Sequence, residues 1–140
     1  IAKDNHRYRV VNCGRRFGKT ILSVYEMVAK ASGMENGSVA YIAPTYQQAR
    51  DIAWEQLKRD LREASKSINE ARLEIKLVNG SLIILRGWEA IETLRGQKFD
   101  LIVLDEVAMR RNFWLNWQEV IRPTLTDTRA KAYSFQHQKD

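Results

Sequence analysis

Residues 101–104 read Leu-Ile-Val-Leu, and the run ends in two acids, Asp105 and Glu106. Successive residues of a strand point to opposite faces, so a strand apolar at every position is buried on both sides. A mainly parallel sheet covered by helices on both faces provides that burial. The chain is thereby directed toward an α/β domain. Its 140 residues suit a single domain, read over 1–140, and no internal repeat, low-complexity tract or linker divides them. The chain opens on Ile1 without a signal-peptide pattern, so it is expected to be a fragment of something longer.

Local patterns supply the other elements. Tyr8 to Asn12 is a short β-prone run that stops at a glycine-containing loop. From Lys19 onward Ile21, Leu22, Tyr25, Val28 and Ala29 recur at helical spacing, and Gly33 and Gly37 punctuate the exit. Ser38 to Ala43 reads as a buried strand ended by Pro44. Thr45 and Gln48 then have the form of a capping box, and the helix behind it carries Ala49, Ile52, Ala53, Leu57, Leu61 and Ala64 on one face. Asn79-Gly80, between Leu73–Leu77 and Ser81–Leu85, predicts a hairpin. A loop containing Gly87 and Gly96 leads to the apolar strand. A short helix over Trp114–Val120, stopped by Pro123, and a last strand over Ala132–Phe135 complete the reading.

The first β-run is followed by Gly14-Arg15-Arg16-Phe17-Gly18-Lys19-Thr20. Glycines let the backbone curl so that successive N–H groups face phosphate oxygens, and the following helix adds the positive end of its dipole. A lysine at position 19 reaches the β- and γ-phosphates, and a Thr20 hydroxyl is the type of ligand Mg²⁺ takes. The strict phosphate-loop pattern departs at one position, where Cys13 replaces the first glycine. Arg15 or Arg16 would sit beside charge developing on a γ-phosphate and can act as an arginine finger supplied by the same chain. The pair at the end of the apolar strand completes the set: Asp105 to hold Mg²⁺, Glu106 to orient and deprotonate water. The residues therefore point to an ATP- and Mg²⁺-dependent hydrolase.

Composition limits the alternatives. One cysteine, Cys13, excludes an internal disulfide and a multi-cysteine metal site, and His6 and His137 are the only histidines. No apolar run approaches the roughly 20 residues that span a bilayer. A net charge of +6 suits a polyanionic partner and a plain solvated basic surface equally well. If the partner is a nucleic acid, Arg50, Lys58, Arg59 and Arg62 on the second helix, with Arg110 and Arg111 after the acids, are the candidates for phosphate contact; for the helix residues an ordinary solvated face is the alternative. Trp54, Trp88, Trp114 and Trp117 are expected in the core or at a subunit interface.

The chain resembles the ATPase domain of the large terminase subunit of tailed bacteriophages and herpesviruses. The resemblance is carried by the double-arginine loop (residues 14–20), Ala43-Pro44-Thr45, Leu94-Arg95-Gly96, the stretch from Phe99 to Ala108, and Ile121 to Asp127. It implies a P-loop NTPase (RecA-like, ASCE) three-layer sandwich with a mainly parallel sheet and a β-hairpin. The implied activity is an ATP-driven motor that threads double-stranded DNA into a procapsid. The Walker A segment would be Cys13, Gly14, Arg15, Arg16, Phe17, Gly18, Lys19 and Thr20. Metal would be held by Thr20 and Asp105, with Glu106, Lys19 and Arg15 or Arg16 in catalysis. The implied partners are a portal protein, a small terminase subunit and further copies in a ring, in the host cytoplasm at the procapsid portal and absent from the mature virion. The family's upstream adenine-contacting segment and downstream nuclease domain are expected outside this chain, so no DNA cleavage is expected of it. Its Ser/Thr-rich coupling motif is matched only loosely by residues 133–138, with Ser134 and Gln136 as stand-ins. A helicase-like translocase and a nucleotide-binding module without turnover are the alternatives.

Overall fold

The computed structural model describes residues 8–13, 16–107, 110–125 and 131–137, with side chains for 21–107 and 110–125. The strands are β1 (Tyr8–Cys13), β2 (Ser38–Ala43), β3 (Ser65–Asn69), β4 (Glu74–Leu77), β5 (Leu82–Gly87), β6 (Leu101–Asp105) and β7 (Lys131–His137). Among the described residues they form one seven-stranded sheet in the order β1-β7-β6-β2-β5-β4-β3. The stretch from β1 to β5 is parallel throughout, and β4 and β3 extend it antiparallel.

Every residue of β6 is buried, as its apolar sequence requires, and the strand lies between β7 and β2. Its two faces belong to two separate cores. Leu101 and Val103 join Val39, Tyr41, Ala43, Ile83 and Leu85. That face is covered by α1 (Arg16–Ser32) through Val24, Met27 and Ala31, and by Ala49, Ala53, Trp54, Leu57 and Leu61. On the other face Ile102 and Leu104 join Ala40, Ile42 and Ile84 under Ile91, Leu94, Phe99, Phe113, Val120 and Ile121. The domain is an α/β structure in three layers.

The second helical stretch begins with α2 (Tyr46–Ala49), capped by Thr45, whose hydroxyl accepts from the Gln48 amide at 3.1 Å. It widens into a π turn over Arg50–Trp54 and continues as α3 (Glu55–Asp60). The wider turn shifts the helical phase. Adjacent residues Ala53 and Trp54 are consequently both fully buried, while Ile52 is only partly so.

The structure departs from the sequence reading in five places. The second helix ends at Asp60, so Leu61, Arg62 and Ala64 lie in the turn beyond it. Helix α1 starts at Arg16, so Arg16 to Thr20 are helical rather than loop. The glycine-flanked loop after β5 contains a 3-10 helix, Trp88–Leu94, anchored by buried Ile91 and Leu94. Strand β3 is an additional, polar edge strand. Pro123 does not stop the last helix before it. Short α4 (Phe113–Asn116) and a π turn (Trp117–Ile121) run without a break into α5 (Arg122–Thr124), which contains Pro123. Trp54 is in the core as expected, but Trp114 is 66% exposed.

The Asn79-Gly80 turn has a second role. Gly80 adopts φ +90°, and the neighbouring Asn79 amide donates to the carbonyls of Ala31 (2.9 Å) and Met34 (3.2 Å). Ser81, fully buried, accepts from the Gly37 amide at 3.0 Å and donates to the Met34 carbonyl at 2.7 Å. The hairpin turn thus closes the C-terminal end of α1. Ser81→Ala would leave the Gly37 amide without its buried acceptor, at an expected cost of about 1–3 kcal/mol. A urea-unfolding midpoint equal to the parent's would show that the hydroxyl contributes nothing.

Candidate functional site

Parallel strands end on one edge of a sheet, and ligands of open α/β sheets bind at the carboxyl ends of the strands. Here β2 and β6 are neighbours with Ile42 opposite Leu104, so Pro44 and the Asp105-Glu106 pair leave the sheet close together. Asp105, 4% exposed, has its carboxylate on the face shared with Tyr41, whose hydroxyl donates to Asp105 Oδ2. Glu106 has φ +56°, a left-handed conformation that a glutamate adopts only where its surroundings impose it. This twist answers the alternation of strand residues. Asp105 and Glu106 line the same small pocket with Pro44, Gln48 and Ile52, about 10 Å³ in volume. That is close to the space one water molecule occupies.

The register extends this corner toward the first strand. Phe135 of β7 pairs with Val11 of β1 on one side and Asp105 of β6 on the other. Val11 and Asp105 therefore stand in one row, two strand spacings or about 10 Å apart. Cys13, two residues beyond Val11, ends β1 at the same edge, and α1 starts at Arg16. Of the candidate phosphate-binding residues, Gly14 and Arg15 lie outside the described residues. Arg16, Phe17, Gly18, Lys19 and Thr20 are placed by backbone at the start of α1, and the Lys19 amine and Thr20 hydroxyl lie outside the described atoms. Ser134 and Gln136 are placed on β7 by backbone alone.

Two residues at the acid corner were not singled out from sequence. Tyr41 was read only as part of a buried strand, although a buried phenol needs an acceptor and so signals a polar neighbour. Gln48 was read only as half of a capping box. Its Oε1 accepts from the Thr45 hydroxyl at 3.3 Å, and the same side chain lines the acid pocket.

The basic candidates separate into distinct environments. Glu70, just beyond β3, gathers Arg50 and Lys58: Arg50 donates to its carbonyl at 3.0 Å, and Lys58 lies 2.8 Å from its carboxylate. The Lys58 ammonium and the Trp54 indole hold the Glu70 carboxyl below its usual range, and Glu70 in turn raises Lys58. Lys58 also lies 3.2 Å from Glu55. Arg59 donates to Gln56 at 3.1 Å, and both Arg59 and Arg62 are exposed. Lys58, Arg59 and Arg62 line a groove of about 210 Å³ with Glu55, Ser65 and Ile68. Arg110 and Arg111 are exposed elsewhere, where the Arg111 carbonyl accepts from the Trp88 indole at 3.3 Å. The six basic residues therefore do not form one continuous patch. No helix among the described residues is long and apolar enough to cross a membrane.

Known proteins share this fold. The terminase large subunit of Escherichia phage T5 is 28% identical over 135 residues, covering 94% of this chain and 30% of that protein. The large terminase ATPase domain of Thermus phage P74-26 superposes with a TM-score of 0.77 at 26% identity, over 98% of this chain and 62% of that one. A large terminase from a thermophilic bacteriophage, solved in complex with ATP-gamma-S, shares the fold at a TM-score of 0.69 and 17% identity, over 94% of this chain and 33% of that one. The chain thus spans about a third of the curated relative's length. The family described as terminase large subunit, T4likevirus-type, N-terminal, matches residues 10–133. With its acid corner and the start of α1 on one sheet edge, the chain belongs to the terminase large-subunit family.

Proposed function

We propose that this chain is the ATP-hydrolysing motor domain of a terminase large subunit, a P-loop NTPase of the RecA-like, ASCE type that drives double-stranded DNA into a procapsid. The observation that carries the reading is the row from Val11 through Phe135 to Asp105. It brings the end of β1 at Cys13 and the end of β6 at Asp105 to one sheet edge, although more than eighty residues separate them, which supports a phosphate loop working with the acid pair. Relatives named as ATPase domains, one of them in complex with ATP-gamma-S, support it.

In this reading the backbone from Cys13 to Gly18 cradles the phosphates of ATP and Lys19 neutralises the β- and γ-phosphates. The donor set also fits Mg²⁺, which takes oxygen ligands and is commonly held by one or two carboxylates plus substrate phosphates. A nearly buried Asp105 carboxylate would provide the first of these, and Thr20, whose backbone lies in the first turns of α1, would supply a second oxygen. Bound there, Mg²⁺ supplies charge neutralisation at the phosphates. Glu106, turned into the pocket by its left-handed backbone, orients water and takes its proton. Arg15 or Arg16 stabilises charge on the γ-phosphate.

DNA is held through its phosphates, independent of sequence. Of the six basic candidates, Arg59 and Arg62 lead, because Glu70 already engages Arg50 and Lys58. A portal protein, a small terminase subunit and further copies in a ring are the partners we assign, with the host cytoplasm as the place of action.

Three outcomes follow. Glu106→Gln is expected to keep ATP binding and lose turnover by about 100-fold or more, read as phosphate release. Equal turnover would remove Glu106 from its role. Lys19→Ala is expected to abolish measurable ATP affinity in calorimetry, and an unchanged affinity would count against the phosphate-loop assignment. Arg59→Ala and Arg62→Ala should each lower the slope of log affinity against log salt for duplex DNA by about one. A slope identical to the parent's would place the DNA elsewhere.

A further inference from the structure

Tyr41 is the residue of β2 that carries a side-chain polar atom into the fully buried core, and its hydroxyl donates to Asp105 Oδ2. The register explains why the two meet. Tyr41 pairs with Val103 on β6, so Asp105 lies two residues farther along the same face. Tyr41 belongs to the core formed with Val24, Met27, Trp54 and Leu57, under the helices α1 and α3. A phenol embedded in a close-packed core has its few torsions fixed by its neighbours, so its hydroxyl is a donor at a set position.

We infer that Tyr41 is a positioning residue for the metal-holding carboxylate, acting on metal–nucleotide binding through Asp105. This rests on the assignment of Asp105 to Mg²⁺. Outer partners that orient a metal-ligating side chain typically change metal affinity 10–100-fold when removed. The bond crosses from β2 to β6, the strands preceding Pro44 and Glu106, so it also fixes one wall of the acid pocket.

The test is Tyr41→Phe, which removes one oxygen and keeps the ring. Mn²⁺ affinity of the protein–ADP complex, read from the electron-paramagnetic-resonance signal of free Mn²⁺, is expected to fall about 10-fold. ADP affinity without metal should stay within twofold. Val103→Ala, which loosens the same core without touching the hydrogen bond, should leave Mn²⁺ affinity at the parent value while lowering the melting temperature. Asp105→Asn separates the underlying assignment from the new one: if it leaves Mn²⁺ affinity intact, Asp105 is not the ligand. If Asp105→Asn weakens Mn²⁺ and Tyr41→Phe does not, Tyr41 has no positioning role. Adding Tyr41→Phe to Asp105→Asn should produce little further loss, and fully additive losses would overturn the inference.

Discussion

Parallel strand pairing is the constraint on which the rest of the molecule depends. Parallel neighbours need a crossover between them, and each crossover returns the chain to the edge where its predecessor began. All carboxyl ends then gather on one side. In this chain that side receives the start of α1, the Pro44 exit and the Asp105-Glu106 corner. Insertion of β7 between β1 and β6 sets their spacing at two strand widths, about 10 Å.

The elements legible in the sequence are those whose cause is local. Leu101 to Leu104 announced a strand buried on both faces, Asn79-Gly80 a hairpin and Thr45 a helix start, and each depends on a few adjacent residues. Strand β3 was not legible because Ser65-Lys66-Ser67-Ile68-Asn69 is a largely exposed edge whose pairing with β4, not its own composition, makes it a strand. The 3-10 helix after Gly87 and the two π turns answer to packing on the sheet rather than to periodicity. At the site the acid pair was readable from its place after the apolar run. Tyr41 donating to Asp105 across sixty-four positions was not, nor was the left-handed twist at Glu106.

Charge tells a similar story. In sequence Arg50, Lys58, Arg59 and Arg62 are four equivalent cations on one helical stretch. The fold makes them unequal, because the turn after β3 brings Glu70 against two of them and leaves the other two to solvent. A basic count overstates the charge available to an anionic partner whenever acids from another element return to the same surface.

Helix α1 spans seventeen residues, or about 26 Å of a rod that resists axial compression. One end starts just after β1, at the sheet edge where β6 also ends. The other is tied by Asn79 and Ser81 into the turn of β4 and β5, and β4 in turn backs β3, whose Ser65 and Ile68 wall the basic groove. A helix fastened in this way behaves as a strut. A shift of the helix along its axis would therefore bear directly on the β4–β5 turn, which the Ala31 carbonyl meets through Asn79.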